Sequence, residues 1–455
     1  MSKLSILIPA YNMRGQVNQC LASIRRTVRI PYEVIIIDDG SQENECVSIR
    51  EGEDDVRVLS LKQHYGISHA LNMGIDAAEG AVILFLHADI MLAPNTVDDL
   101  LDVLIENPQI GAVSAVAPRE HKYTRSFPGV NYHDWVGFVS AAEYIRTQKM
   151  QLHPEIYAEL FCLMVRRDVV EAVGGLDEDY QTPPMAAFDY TARMTRKGYQ
   201  IASVSTVYVH HQESVHVQDM GSYVQRIQEE RELFREKLGL SLDYSFFARI
   251  DILELMDLTP EGLRVLDIGC ACGATLREIG MHNPTAKLYG VELNEKAAAF
   301  AAPFAKILTM DVEHMDLEVI PERFDYIVMG DVIEHLLDPW AAIANMHELL
   351  VPGGCIVASI PNVAFVGNIM SVLLGNWTYQ DAGLLDRTHL RFFTYTEIVK
   401  MFEEVGFKIE QKKMNQIELP DYVKVFREEL LTLQTVQINP QDLDAYQWRI
   451  CARKQ

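Results

Sequence analysis

The feature that most constrains the fold is a repeated alternation of short apolar runs with amphipathic helical stretches. In the first half of the chain, apolar runs of strand length occupy residues 4–9, 33–38, 56–61, 82–86 and 110–117. Between them, helical patterns occupy residues 17–26, 68–78 and 96–106. This alternation predicts a largely parallel sheet covered by helices, with ligands bound at the carboxyl ends of the strands.

A second series of the same kind begins at Arg264. Its strand-like runs occupy residues 265–268, 288–292, 307–310, 326–329, 355–360, 407–412 and 446–452. Between the two series, residues 221–258 are charged and helical in pattern. We therefore predict an α/β protein with two doubly wound domains, at residues 1–220 and 259–455, joined by a helical linker at residues 221–258.

Composition and charge exclude several classes of protein. The formal net charge of −24 disfavours non-specific binding to nucleic acid or to an anionic membrane. No apolar stretch reaches the ~18–20 residues of a membrane-spanning helix, and no secretory signal is visible. The seven cysteines are scattered without a disulfide framework. We therefore expect a cytoplasmic enzyme with no nucleic-acid partner.

The motifs of the first half follow one another in a characteristic order. Pro9-Ala10-Tyr11-Asn12 ends the first strand, and IIIDDGS ends the next. KQHYGISHALNMGIDAAEG and VILFLHADIML come later. Over roughly residues 1–215 this succession resembles the family 2 glycosyltransferases of GT-A fold. The resemblance implies a GT-A-like domain that transfers a sugar from a nucleotide sugar to a carbohydrate or lipid-linked acceptor, typically with inversion.

The nucleotide-binding residues follow from the resemblance. A carboxylate at a strand end can accept hydrogen bonds from a base edge or from ribose hydroxyls, and this role falls on Asp39, with Asp38 as its neighbour. Pro9, Tyr11 and Asn12 would shape the base pocket. The alternative is that the two acids only cap the following helix.

A metal site is expected near Asp89. The family usually carries Asp-x-Asp here to bind a divalent cation that bridges the diphosphate. In this sequence His87 replaces the first acid, so Asp89 is the surviving candidate ligand for Mn²⁺ or Mg²⁺, and the imidazole is more compatible with Mn²⁺. His211 resembles the family's late histidine near the diphosphate and is the second candidate ligand. Both histidines could instead be structural or surface residues.

The catalytic base of the transferase is harder to identify. Inversion needs a carboxylate that takes the proton of the attacking hydroxyl. The family commonly has Glu-Asp before a helix of the form Asp-x-x-x-Arg, and this sequence keeps Asp189 of that helix but has Ala186 and Ala187 at the Glu-Asp positions. Either Asp189 is the base, or an acid within residues 177–179 is, or this half is inactive.

The second half opens with a glycine-rich turn, RVLDIGCACG, between a strand and a helix. It continues with MDVE, FDYIVMGDVIEHLLDP and LLVPGGCIVASIPN. Over about residues 245–455 this resembles the class I S-adenosylmethionine-dependent methyltransferases, which implies a Rossmann-like, seven-stranded domain with S-adenosylmethionine as methyl donor. The cofactor-binding residues that the resemblance indicates are Asp267, Gly269 and Gly273 in the turn, Glu292 for the ribose, Asp311 for the adenine, and Asp331 after the fourth strand.

Two histidines are candidate catalytic residues of this half. His335 follows the fourth strand, and His389 lies in DRTHLRFFT, a segment that folds over the acceptor in similar methyltransferases. A histidine with a pKa near neutrality can assist a sugar hydroxyl. Each could instead have a structural role that orients its loop.

The two halves together predict a bifunctional enzyme of glycan assembly, which adds a sugar and methylates a sugar hydroxyl. Peripheral association with a membrane complex of polysaccharide biosynthesis would be compatible with such a role. The alternative is an active methyltransferase joined to an inactive, glycan-binding transferase-like module.

Overall fold

The structure is a computed structural model that describes residues 3–43, 45, 55–118, 131–212, 220–242, 244–320 and 322–455. The chain divides into two compact units, Met1–Leu242 and Asp243–Gln455. Each unit has its own sheet and its own hydrophobic core. The prediction of an α/β protein with two sheet-containing domains is confirmed.

The strands of the first unit are β1 (Leu4–Ala10), β2 (Tyr32–Asp38), β3 (Val56–Ser60), β4 (Val82–Leu86), β5 (Ile90–Leu92), β6 (Ile110–Val116), β7 (Leu152–Glu155), β8 (Cys162–Arg166) and β9 (Gln200–His211). Its helices are α1 (Arg14–Thr27), α2 (Ile67–Ala77), α3 (Thr96–Glu106), α4 (Trp135–Arg146), α5 (Arg167–Val173), α6 (Pro183–Arg196) and α7 (Met220–Leu238). Helix α3 has both of its predicted bounds.

Among the described residues of this unit, the strands form one mixed sheet in the order β3-β2-β1-β4-β8-β6-β9-β5, with β7 on β9. Strands β1 to β4 pair in parallel, whereas β8 is antiparallel to both β4 and β6. The expectation of a largely parallel sheet therefore holds for the β3-β2-β1-β4 half and for the β6-β9 pair, whereas β5, β7 and β8 pair in antiparallel fashion. Strand β8 was not recognised in the sequence, because a single buried apolar run does not reveal its direction.

The register of the parallel half places the predicted motifs at one edge. Ala10 at the end of β1 lies opposite Asp38 at the end of β2, and Leu7 lies opposite Phe85 of β4. Fully buried aliphatic side chains, including those of Ile8 and Ile36, hold α1 against the sheet. Burying such a side chain stabilises the folded state by about 1.5–3 kcal/mol. The carboxyl edge of the sheet is therefore well ordered and fixes the positions of the loops that follow.

The strands of the second unit are β10 (Arg264–Ile268), β11 (Lys287–Glu292), β12 (Lys306–Thr309), β13 (Phe324–Gly330), β14 (Leu350–Pro361), β15 (Phe407–Asn415) and β16 (Gln447–Lys454). Its helices are α8 (Ile250–Leu253), α9 (Ala274–His282), α10 (Glu295–Ala301), α11 (Pro339–Leu349), α12 (Val366–Leu373), α13 (Tyr395–Glu403), α14 (Asp421–Leu431) and α15 (Pro440–Asp444). Short 3₁₀ turns occupy Val312–His314, Leu317–Val319 and Ile333–His335.

Within the part of this unit that the structure describes, seven strands run in the order β12-β11-β10-β13-β14-β16-β15. The first five pair in parallel, and β16 is antiparallel to both β14 and β15. The expected seven-stranded sheet is present. Ile268 of β10 lies opposite Val291 and Met329, so the loops after β10, β11 and β13 meet at one edge.

Residues 221–258, expected to form a helical linker, divide between the two units. Helix α7 belongs to the first unit, where the buried carboxylate of Glu230 accepts hydrogen bonds from the backbone N–H of Gln181 and of Thr182 just before α6. Helix α8 belongs to the second unit. None of the helices in the described ranges is both long enough and apolar enough to cross a bilayer.

Candidate active sites

The two predicted carboxylates of the first unit both bind backbone at the carboxyl edge. Asp38 accepts a hydrogen bond from the N–H of Ser41 at 3.0 Å. Asp39 accepts from the N–H of Tyr65 at 2.8 Å and of Gly66 at 2.9 Å. Both side chains are buried. Asp39 therefore anchors the loop that precedes α2 at the carboxyl edge of the sheet.

His64 is a residue at this edge that sequence reasoning missed. Its Nδ1 lies 2.8 Å from Asp39 Oδ2, and this hydrogen bond raises the pKa of the imidazole. The ring stacks on Tyr11 with centroids 4.2 Å apart and planes at 23°. Two stacked rings beside a carboxylate suit a nucleobase, which could stack on the rings. The signal was present in KQHYG, next to the glycine that precedes α2.

Asn12 and Pro9 shape the turn after β1. Asn12 is in the left-handed region, with φ 54°, which asparagine tolerates better than most residues. Its N–H donates to Ser41 Oγ at 2.9 Å and its side-chain oxygen accepts from the N–H of Gln42 at 2.8 Å. Pro9 lies one residue before the end of β1, opposite Ile37. The turn after β1 is thereby tied to the turn after β2.

His87 and Asp89, between β4 and β5, lie close to His211 at the end of β9. Antiparallel pairing of β5 with β9 places Ile90 opposite His211, and His211 Nε2 lies 3.6 Å from Asp89 Oδ1. One ligand atom from each of the three residues lies within 4.8 Å of the others. Two imidazoles and a carboxylate at this spacing fit a divalent cation, and nitrogen ligands favour Mn²⁺ over Mg²⁺.

The neighbouring histidine has a different environment. Nδ1 of His210 lies 2.7 Å from the Tyr132 hydroxyl, and burial lowers the pKa of His210. Successive strand residues point to opposite faces, so His210 packs away from the Asp89 cluster while His211 faces it.

Helix α6 carries the first candidate base. Asp189 is buried and accepts a hydrogen bond from Arg193 Nε at 2.8 Å. Burial raises the pKa of Asp189, although the charge of Arg193 opposes that shift. Ala186 and Ala187, at the positions where the family carries acids, are buried in the same helix.

The acids of residues 177–179 differ in their partners. Lys237 Nζ of α7 lies 2.6 Å from a carboxylate oxygen of both Asp177 and Asp179. Glu178 instead accepts from Asn72 Nδ2 at 2.9 Å and lies 2.8 Å from His69 Nδ1. These hydrogen bonds lower the pKa of Glu178, so it is ionised at neutral pH and is the second candidate base.

In the second unit, the glycine-rich turn needs its glycines. Gly269 has φ 68° and Gly273 has φ 79°. A Cβ on Gly273 would lie 2.8 Å from the Cβ of Ala301, and one on Gly269 would lie 2.9 Å from a methyl of Val332. Side chains at these positions would be strained and would crowd the turn, so the backbone stays open to a ligand.

Asp267 and Glu292 flank this turn. Asp267 is buried, and burial together with the nearby charge of Glu292 raises its pKa to about 8. Glu292 accepts from the N–H of Ala271 and of Asn294, both at 2.8 Å. The end of β11 is thereby joined to the turn, and two acidic side chains lie at this edge, where a cationic ligand would favour their ionised forms.

Asp311 and Asp331 complete the predicted set. Asp311 accepts from the N–H of Glu313 at 2.9 Å and lies 2.9 Å from His314 Nδ1, and these contacts lower the pKa of its half-exposed carboxyl. Asp331, with φ 54°, accepts from Ser359 Oγ at 2.8 Å. It also accepts from Arg249 Nη1, a partner that sequence reasoning missed. The cofactor residues predicted from sequence thus lie at the carboxyl ends of the strands or in the loops that follow them, at the same edge of the sheet.

Glu334, His335 and His389 form a compact cluster beside this edge, here called the EHH cluster. The rings of His335 and His389 lie 4.8 Å apart, and one ligand atom from each of the three residues lies within 4.8 Å of the others. Nδ1 of His335 lies 3.1 Å from the carbonyl of Thr388, and Nδ1 of His389 lies 3.1 Å from that of Leu384. A carbonyl can only accept, so each Nδ1 carries the proton in the neutral ring and each Nε2 presents a lone pair.

Glu334, the acid of the EHH cluster, has an unusual environment that the motif alone does not indicate. It is 1% exposed, and neither carboxylate oxygen accepts a hydrogen bond from another described residue. Burial raises the pKa of Glu334 well above its ordinary value. Because a buried carboxyl without partners is unfavourable, the cluster is suited to hold a hydroxyl group or a cation that would supply those partners.

Two family models match the chain. The Glycosyl transferase family 2 model matches residues 5–174, and the Methyltransferase domain model matches residues 243–412. Among curated proteins, the Ubiquinone biosynthesis O-methyltransferase of Cereibacter sphaeroides is 31% identical over 157 residues, covering 32% of this chain and 60% of that protein. An uncharacterized glycosyltransferase of Haemophilus influenzae is 31% identical over 110 residues, covering 24% of this chain and 37% of that protein.

Solved structures are similar at lower identity. A Pyrobaculum calidifontis mannosyltransferase in complex with GDP-Man and Mn²⁺ has a TM-score of 0.37 and 18% identity, over 53% of this chain and 65% of that one. An S-adenosylmethionine-dependent methyltransferase from Mesorhizobium loti has a TM-score of 0.32 and 18% identity, over 45% of this chain and 96% of that one. This chain spans less than two thirds of the length of the curated relatives named above.

Proposed function

Because the chain carries a family 2 glycosyltransferase domain and a methyltransferase domain, we propose that it is a bifunctional enzyme of glycan assembly. The first domain transfers a sugar from a nucleotide sugar to a carbohydrate or lipid-linked acceptor. The second methylates a sugar hydroxyl with S-adenosylmethionine. Peripheral association with a membrane complex of glycan assembly, on the cytoplasmic side, is part of the proposal.

In the glycosyltransferase domain, the nucleotide lies at the carboxyl edge of β1 and β2. The stacked rings of Tyr11 and His64 support a base beside Asp39. Pro9 and Asn12 hold the turn, and Asp38 fixes the backbone of the adjoining loop. The proposed specificity is for a nucleotide whose base presents an N–H to the carboxylate of Asp39.

Asp89 and His211, with His87, bind the divalent cation. Their spacing supports this role, since one cation can reach an oxygen of Asp89 and a nitrogen of each histidine. Held by these residues, a divalent cation would supply positive charge to offset the charge that develops on the diphosphate leaving group. The protein's contribution is to hold two imidazoles and a carboxylate close together near the ends of β4 and β9.

Asp189 is the proposed base of sugar transfer. Its pKa is raised by burial, which makes the carboxylate a better proton acceptor. The acceptor oxygen would bond to the anomeric carbon as the nucleotide diphosphate leaves, and the acceptor proton would pass to Asp189. Arg193 orients the carboxylate through its 2.8 Å hydrogen bond.

In the methyltransferase domain, the turn at Gly269 and Gly273 and the carboxylates of Asp267 and Glu292 bind the methionine and ribose portions of S-adenosylmethionine. Asp311 contacts the adenine. Asp331 accepts a hydrogen bond from Arg249 and would face the cofactor after the fourth strand of the sheet. S-adenosylmethionine supplies a methyl group on a sulfonium, and the chain's task is to align a hydroxyl with it.

The EHH cluster carries this half of the proposal. Each Nε2 presents a lone pair while Nδ1 is held by a carbonyl, and burial lowers the pKa of His389. A neutral imidazole in this tautomer can accept the hydroxyl proton as the carbon–oxygen bond forms and the carbon–sulfur bond breaks, leaving a neutral thioether. Because the planes of the two rings are inclined at 75°, one ring can take the proton while the other orients the hydroxyl.

The test is product analysis with the full chain. It would be incubated with Mn²⁺, S-adenosylmethionine and a panel of nucleotide sugars, with simple alkyl glycosides as acceptors, and products read by mass spectrometry. The proposal expects both a glycosylated and a methylated product. Methylation confined to non-carbohydrate acceptors would contradict it.

A second candidate function follows from the two alanines of helix α6. With Ala186 and Ala187 in place of acids, the first domain could bind a nucleotide sugar or glycan without turnover and position the methyltransferase. Tight binding of a nucleotide sugar with no hydrolysis or transfer, beside normal methylation, would favour this candidate.

A further inference from the structure

An uncharged apolar stretch is exposed in the methyltransferase domain. Residues 372–379, here called the apolar segment, contain no Asp, Glu, Lys or Arg in a chain of net charge −24. Its large side chains are all exposed to solvent: Val372, Leu373, Leu374, Trp377 and Tyr379. Contiguous exposed apolar surface of this kind commonly marks a site where another molecule binds.

The apolar side chains at the end of α12 are exposed although the helix itself is packed against a neighbour. Helix α12 packs against α14, and Val366 and Val423 are buried in the cluster that the two helices share. Leu373 and Leu374 at the end of α12 lie outside that cluster and are 68% and 66% exposed. These two side chains of the apolar segment therefore do not contribute to the packing of α12 against α14.

A series of ring contacts connects the apolar segment to the EHH cluster. The ring of His389 lies 6.5 Å from that of Phe392, and Phe392 lies 5.3 Å from Trp377. The backbone follows the same path, since the N–H of Gln380 donates to the carbonyl of Leu385 at 2.9 Å. The exposed segment thus begins where the proposed acceptor site ends.

We propose that the apolar segment binds the hydrocarbon chain of an amphiphilic acceptor whose hydroxyl group lies at the EHH cluster. The proposal rests on the proposed methyl transfer and gives its acceptor a substrate class, a lipid-linked hydroxyl compound. Continuity with the EHH cluster favours a ligand that spans both places. The acidic character of the chain disfavours an anionic bilayer surface as the occupant.

The test uses alkyl β-glucosides with methyl, octyl and dodecyl chains as probes, each below its critical micelle concentration. Calorimetry would give their affinities for the full chain and for the double variant Leu373→Ser/Leu374→Ser. A matched control is Ile105→Ser/Val136→Ser, whose side chains are 67% and 70% exposed in the other unit. Both pairs are on the surface, so neither variant should unfold.

The wild-type chain should bind the dodecyl glucoside at least about tenfold more tightly than the methyl glucoside, because burial of each methylene is favourable. Most of that gain should vanish in the Leu373/Leu374 variant and persist in the control. Titration with S-adenosylmethionine, run separately, should be unchanged in both variants. If the wild-type chain did not bind S-adenosylmethionine, that result would count against the proposed methyl transfer. The affinities for the three glucosides would still test the proposed role of the apolar segment.

Three results would overturn the proposal. The first is equal affinity for the three glucosides. The second is binding to phosphatidylcholine vesicles without binding of any monomeric glucoside, which would assign the apolar segment to a bilayer surface. The third is a concentration-dependent dimer in sedimentation that the Leu373/Leu374 variant abolishes, which would assign it to a second copy of the chain.

Discussion

The imidazole rings of His335 and His389 lie with centroids 4.8 Å apart and planes at 75°, although they come from separate loops. Each ring is oriented by a hydrogen bond from Nδ1 to a backbone carbonyl. Beside them, Glu334 is buried with no hydrogen bond from another described residue to its carboxylate. Two imidazole rings of fixed orientation next to a buried carboxyl are the arrangement on which the proposed methyl transfer depends.

This pair predicts the pH dependence of methylation. Burial lowers the pKa of His389 below its ordinary value of 6.5, so the neutral, proton-accepting form persists through neutrality and is lost only as pH falls below that value. We expect the rate to fall on an acidic limb below pH 6.5. His389→Gln should reduce the rate about 10²–10⁴-fold, measured in single-turnover assays, with His347→Gln as the control. An acidic limb above pH 7 would contradict the assignment.

Asp267 predicts a proton linkage. Its pKa of about 8 in the ligand-free protein means that most molecules hold this proton at pH 7. A cationic ligand favours the ionised form, so binding of S-adenosylmethionine should release protons at pH 7 and should tighten as pH rises toward 8. Calorimetry in buffers of different ionisation enthalpy measures the release. Heat independent of the buffer would count against a contact between Asp267 and the cationic donor.

The same residue predicts an effect on stability. A carboxyl whose folded pKa exceeds its unfolded value makes stability fall as pH rises between the two values. Asp267→Asn removes this ionisation, so the ligand-free variant should be about 2–4 kcal/mol more stable than the wild-type at pH 7, while losing cofactor binding. Denaturant unfolding at pH 5 and pH 7 gives the comparison. The stability difference between the variant and the wild-type should be larger at pH 7 than at pH 5. An equal difference at both pH values would show that Asp267 is not buried as described.

The proximity of Asp89 and His211 predicts metal dependence in the other domain. Asp89→Asn should weaken Mn²⁺ binding and reduce sugar transfer at least about 100-fold, because a charged ligand is lost. Electron paramagnetic resonance of free Mn²⁺ measures the first effect. Asp76→Asn, an exposed acid on α2, is the matched control. Unaltered Mn²⁺ affinity in Asp89→Asn would place the cation elsewhere.

The candidate bases make opposite predictions. If Asp189 takes the proton, Asp189→Asn abolishes sugar transfer while nucleotide binding survives, and Glu178→Gln is close to wild-type. The distinction rests on their environments, since Asp189 is buried with a raised pKa and Glu178 is exposed with a lowered one. Rates with donor in excess, together with donor affinity, decide the matter. A loss confined to Glu178→Gln would transfer the role to that residue.

Much of the fold could be predicted from periodicity. Helix α3 and the strands of the second unit match their expected positions within a few residues, because their apolar patterns are regular and their ends carry turn residues. Strand β8 could not be placed, since its antiparallel position between β4 and β6 depends on contacts made after the chain folds.

The candidate sites were predicted where a motif brings residues close in sequence. Asp89 and His87 are near neighbours, and the glycine turn is continuous. The pairing of Arg249 with Asp331, and the stacking of His64 on Tyr11, join distant segments. Such contacts depend on which strands are adjacent, and the sequence pattern does not reveal them.

The most direct test of two separate donor sites is a pair of calorimetric titrations on the full chain in the presence of Mn²⁺. One uses S-adenosylmethionine and the other a panel of nucleoside diphosphates. The account predicts one-to-one binding in each titration, with Asp267→Asn abolishing only the first and Asp89→Asn only the second. Absence of binding in both titrations, or loss of both through one substitution, would contradict it.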